Sequence, residues 1–88
     1  MDVPEEMLNR YVERRRRDLE ECVRHLRDGK LNFIEKVGHQ LKGNADTFGY
    51  PELSEIGKEL EVAAQKGSHD QILFVIDKFR DWVDVHVS

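Results

Sequence analysis

A chain of 88 residues, 36% of them charged and with a formal net charge of -4, has room for one modest core and lacks the strongly basic footprint of a dedicated nucleic-acid binder. Its one cysteine, Cys22, has no partner for an internal disulfide and no Cys or His set at metal-ligand spacing, which fits a reducing compartment and a small core residue. The acidic start, Met1 to Glu6, is followed by no apolar run, and the longest aliphatic and aromatic stretch, Ile72 to Ile76, is far too short to span a bilayer. The expectation is a cytoplasmic monomer, one domain over residues 1–88, whose partners are proteins rather than nucleic acid or membrane.

Pro4, Asp28-Gly29, Gly49-Tyr50-Pro51 and Lys66-Gly67-Ser68 divide the chain into four segments. The first, Pro4 to Leu26, carries Met7, Leu8, Tyr11, Val12, Leu19, Cys22, Val23 and Leu26 at spacings of three and four, one apolar stripe of a helix that Gly29 can stop. Two courses stay open for it: straight, or bent between Asn9 and Arg17 with its first turns crossing the bundle end. In the second, Asn32 followed by Glu35 resembles a capping box and predicts a helix running to about Phe48. The third starts with Pro51 at its first position, carries Leu53, Ile56, Leu60, Ala63 and Ala64 on one face and ends before Gly67. Ser68 or His69 opens the fourth, where Ile72, Leu73, Val75, Ile76, Phe79, Trp82 and Val83 supply the heaviest apolar content. No segment alternates with the period of a strand. Four amphipathic helices on short connections predict an all-α, antiparallel up-down four-helix bundle.

On a helical wheel at about 100° per residue, Ile34, Val37, Leu41, Ala45 and Phe48 share one side of the second helix and His39 lies nearly opposite, facing water. Glu35 stands one turn before His39 on that face, Lys42 and Gly43 one turn after it and Asp46 two turns after it. Gly38, Ala45 and Gly49 form a flanking strip of small residues suited to close helix approach. Gly43 has less of such a use, since it sits within about 40° of the histidine on the solvent side. A neutral imidazole offers a nucleophilic nitrogen; a lysine three residues on places positive charge beside any anion the ring acquires. A glycine four residues on leaves space for that group and for a partner's active site. Taken alone, an exposed histidine needs no function, and Gly43 has a rival reading as a packing notch.

His39-Gln40-Leu41-Lys42-Gly43-Asn44-Ala45, with Gly49 and Leu53 following, resembles the H-x-L-K-G-x-A-x3-G-x3-L signature of the histidine-containing phosphotransfer (HPt) domain of two-component phosphorelays. "ELSEIGKELEVAAQKGS" is similar to that family's next helix and turn, so the resemblance spans nearly the whole chain. It implies a helical bundle in which His39 accepts a phosphoryl group on Nε2 from a receiver-domain aspartyl phosphate and passes it to another receiver. It also implies that Lys42 balances the phosphoryl charge and that Gly43 gives steric access. The implied partners are response-regulator receiver domains and a sensor or hybrid histidine kinase. No cofactor is expected on this chain, with no P-loop-like glycine cluster and no acidic set for a metal; Mg²⁺ belongs to the receiver. The expected protein is therefore a phosphoryl carrier, not an ATP-dependent kinase.

The competing class is an HPt-like binding module that docks receiver or kinase domains without being phosphorylated. A chemotaxis-type kinase would need a kinase module, which these residues do not contain. Glu35, Asp46 and Val62 are expected at a partner surface, Val62 because counting back from the Gly49 turn puts it level with His39. His25, His69 and His86 are scattered and form no metal pattern. The run Arg14-Arg15-Arg16-Arg17 reads as a solvated face, with Glu13, Asp18, Glu20 and Glu21 four residues from Arg17, Arg14, Arg16 and Arg17 in turn.

Overall fold

The computed structural model describes residues 3–87. Four helices follow in order, α1 (Glu5–Arg27), α2 (Leu31–Asn44), α3 (Pro51–Lys66) and α4 (His69–His86), with a single 3-10 turn, Asp46–Phe48, between α2 and α3. There is no strand among the described residues, and the fold is the all-α four-helix bundle. Each helix packs mainly on its neighbours around the bundle, with α1 closing the ring against α4. α1 runs uninterrupted over 23 residues.

Turn chemistry accounts for most of the boundaries. Gly29 at φ 71° and Gly67 at φ 66° take the left-handed conformation that ends α1 and α3. In the following step Lys30 N–H donates to the His25 carbonyl at 2.8 Å, and Ser68 N–H to the Ala63 carbonyl at 3.2 Å. Ser68 then caps α4, its Oγ accepting from Gln71 N–H at 3.3 Å. The start of α2 departs from the capping box: the helix already includes Leu31, and its cap position, Lys30, offers no side-chain bond. Asn32 is therefore inside the first turn, where its side chain cannot act as a cap.

The core is drawn from all four helices, with Cys22, Ile34, Leu41, Leu53, Leu60, Ile72 and Phe79 excluded from solvent. Burial, with the negative charges of Asp18 and Glu21 adding to it, pushes the Cys22 thiol up to about 12, as befits an inert core residue. Met7 and Leu73 are 48% and 44% exposed because each sits at the edge of its apolar stripe. Phe48 lies beyond the end of α2 and is only half-buried, stacked on Tyr11 with ring centroids 4.2 Å apart. The arginine run is not uniformly solvated. Arg16 pairs with Glu20 as spaced, but Glu13 turns to Arg16, Asp18 to Arg15 and Glu21 to Arg24. Arg15 falls in the middle of the apolar stripe and is buried, its guanidinium 4.6 Å above the Tyr11 ring and its Nε 2.9 Å from Asp18 without hydrogen-bond alignment.

α2 and α3 make the closest pair, and two glycines explain it. A Cβ on Gly38 would lie 2.5 Å from the Glu61 nitrogen and 2.8 Å from the Gly57 oxygen; one on Gly57 would lie 2.5 Å from Leu41 Cβ. Only bare backbone at both places lets the helices come this near. Gly49, grouped with Gly38 in the sequence, serves differently. It takes φ 86° at the end of the 3-10 turn, and no atom lies within 4 Å of a Cβ built on it.

Candidate functional site

The close α2–α3 contact sets three side chains against one another. Ser54, Gly57 and Glu61 recur at three and four residues on α3, forming the stripe that faces α2. Glu61 leans across it and accepts two hydrogen bonds, from His39 Nδ1 at 2.8 Å on Oε2 and from Lys42 Nζ at 2.7 Å on Oε1. The three side chains differ sharply in exposure: His39 68%, Lys42 39%, Glu61 12%. A largely covered carboxylate thus anchors an exposed imidazole and a half-exposed ammonium.

The protonation pattern follows. The hydrogen bond from Lys42, and after it the one from His39, hold the Glu61 carboxyl below the usual carboxylate range against the opposing pull of desolvation. An ionised carboxylate can only accept, so the His39 nitrogen facing it, Nδ1, carries the proton. In the neutral ring the lone pair is then on Nε2, on the far side of the ring from Glu61. The arrangement can present a fixed-tautomer nucleophile to solvent with a carboxylate behind it and a cation at its side.

Backbone geometry supports Lys42. α2 ends at Asn44, and Asp46 N–H makes no bond back to the Lys42 carbonyl, which a continued helix would provide. Ser54 Oγ donates to that carbonyl instead, at 3.1 Å. Gly43 is exposed, and a Cβ built on it meets nothing within 4 Å, so no neighbouring helix requires a glycine there.

The remaining expected residues are less tightly gathered. Glu35 accepts from Gln65 Nε2 at 3.2 Å, bridging α2 and α3 one turn before His39. Val62, 40% exposed, follows Glu61 on α3. Asp46 is exposed in the 3-10 turn past the end of α2, so its assignment to the histidine face, which assumed a continuous helix, does not carry over. Glu61 and Ser54 are the site residues that sequence reading missed. The available signal was the Ser54-Gly57-Glu61 spacing, two small residues and an acid on one stripe beside a glycine-bearing helix. Among the described residues no group of three or more His, Cys, Asp or Glu could hold a metal ion, and no helix is long and apolar enough to cross a membrane.

The family model described as the Hpt domain matches residues 6–85. No curated protein and no solved structure matches the chain.

Proposed function

The chain belongs to the Hpt family, whose members carry phosphoryl groups in phosphorelays, and from that premise we propose that His39 is the phosphoacceptor of this one. The Nε2 lone pair attacks the phosphorus of a receiver's aspartyl phosphate. The Nε2–P bond forms as the P–O bond breaks, and the electron pair leaves with the receiver's aspartate as a carboxylate. No proton need move, since Nδ1 already carries its own, and the ring becomes a phosphoimidazolium. Transfer to a second receiver is the same step reversed. The chain acts as a carrier and supplies no nucleotide chemistry; Mg²⁺ and the catalytic aspartate are the receiver's.

The observation that carries this reading is the double hydrogen bond on Glu61. Positive charge that develops on the ring during attack lies against a carboxylate already in place, so stabilisation requires little reorganisation. Lys42 is tied to Glu61 in the unphosphorylated protein and has the reach and exposure to turn to the phosphoryl oxygens once they arrive. Gly43 leaves the space above the ring open to a receiver.

The test is transfer from prephosphorylated receiver domains of the same organism, followed by phosphate-affinity electrophoresis. Wild-type protein should give a band lost in acid and stable in base, absent from His39→Gln. A docking module that is never phosphorylated would bind the receiver and give no such band.

A further inference from the structure

Glu61 and Val62 are consecutive on α3 but about 100° apart around it, so the phosphoacceptor side of α3 passes directly into its outer side. There a shallow groove of about 330 Å³ opens between α3 and α4. Val62, Ala63, Phe74 and Val75 give it an apolar surface, and Lys58, Glu59 and Gln71 edge it. Phe74 is 63% exposed and Val62 40%, two large apolar side chains from different helices at one opening. Single exposed apolar residues are commonplace; here two from different helices bound one groove with a polar edge, the arrangement that on a larger scale marks interaction sites. Lys78 fixes one wall: its ammonium donates to Glu59 at 2.8 Å and lies 4.9 Å from the Phe74 ring centroid.

We propose that this groove is the specificity pocket of the phosphotransfer complex, receiving an aliphatic or aromatic side chain from the surface of the receiver domain whose aspartate meets His39. The proposal rests on reading His39 as the phosphoacceptor. Continuity decides the occupant. A receiver that closes on His39 must cover the neighbouring edge of α3, and Val62 is on that edge. A second copy of this chain seated in the groove would instead crowd the same edge and screen His39 from its donor. The charges at the rim are paired, Lys78 with Glu59 at 2.8 Å and Lys58 with Glu55 at 3.8 Å, so the groove selects by shape and apolar fit more than by charge.

The experiment takes the receiver that transfers fastest to the wild-type protein and compares Phe74→Ala, Val62→Gln and, as a control, Val85→Ala, an exposed position at the other end of α4. Phosphoramidate, which labels histidine without protein docking, is run in parallel. Phe74→Ala should lower the second-order transfer rate at least tenfold, Val62→Gln severalfold and Val85→Ala by less than twofold, with phosphoramidate labelling of His39 unchanged in all three. Transfer to Phe74→Ala within twofold of wild type overturns the proposal, as does an equal loss in Val85→Ala. A wild-type elution volume that depends on concentration, and ceases to in Phe74→Ala while transfer is kept, assigns the groove to a second copy and also overturns it. Failure of the wild type to accept phosphate from phosphoramidate and from every receiver sinks the phosphoacceptor reading itself, a result separate from any difference among the groove variants.

Discussion

Gly38 and Gly43 are both inside α2, five residues apart, and alanine should act on them with opposite sign. At Gly38 the new Cβ would stand 2.5 Å from the Glu61 nitrogen, 2.8 Å from the Gly57 oxygen and 3.0 Å from Glu61 Cα. All three are backbone atoms, so no rotamer change relieves the clash and α3 must move. Overpacking against backbone that cannot rotate away belongs at the upper end of the usual cost, about 3 kcal/mol, and removing a mid-helix glycine returns about 1, which leaves a net loss of about 2 kcal/mol. For a domain of this size the melting temperature should fall by about 8–16 °C. At Gly43 nothing lies within 4 Å of the added methyl, so only the propensity gain remains. That is about 0.5–1 kcal/mol and a rise of about 2–8 °C. Thermal melts followed by circular dichroism decide the matter, and transfer assays on the same samples add a second reading. Gly38→Ala displaces the backbone of the residue that holds His39 and should slow transfer. A melting temperature for Gly38→Ala equal to or above wild type would refute the close-contact account, and a fall for Gly43→Ala would refute open space above His39.

Glu61→Gln should leave the fold intact and slow transfer about tenfold or more, since the amide neither anchors Lys42 by charge nor balances a ring that becomes cationic; wild-type rates in the variant would contradict this. The Glu61 carboxyl is held below its ordinary 4.5, chiefly by Lys42, so its contribution to stability is present in full above that pH and lost as pH falls through the lower folded value. The difference in melting temperature between wild type and Glu61→Gln should accordingly be flat above about pH 4.5 and shrink below it. Leu41→Ala, at a position with no solvent exposure, should cost roughly 2–5 kcal/mol, and Phe48→Ala, half-buried outside the helix, distinctly less, as chemical denaturation would report. Cys22, fully buried with its thiol pushed up to about 12, should resist iodoacetamide in the folded protein and react once urea unfolds it; rapid labelling of native protein would show that α1 opens.

Helix number, order and most boundaries were legible because each depends on chain-local chemistry: apolar residues at helical spacing, left-handed Gly29 and Gly67, Pro51 and Ser68 at helix starts. The solvent-facing position of His39 was legible for the same reason. Glu61 was not, because α3 carries several glutamates and only the lateral register of α2 against α3 selects one. That register is set by two glycines meeting across the interface, a pairwise fact that no single helix displays. The early end of α2, which removes Asp46 and Phe48 from its faces, likewise depends on a contact in space: Ser54 satisfies the Lys42 carbonyl that a longer helix would have used. Arg15 shows the opposite case. Its place four residues from both Tyr11 and Leu19 puts it in the apolar stripe, a signal hidden by the four-arginine run around it.

Which nitrogen of which histidine bears the phosphoryl group can be measured directly. Protein labelled with ¹⁵N-histidine and phosphorylated with phosphoramidate can be read by long-range ¹H–¹⁵N and ³¹P spectra before and after the reaction. Glu61 holding the Nδ1 proton predicts the Nδ1–H tautomer of His39 beforehand and phosphorus bonded to its Nε2 afterwards. Phosphorus on Nδ1 of His39, or on His25, His69 or His86 with His39 unchanged, would contradict it.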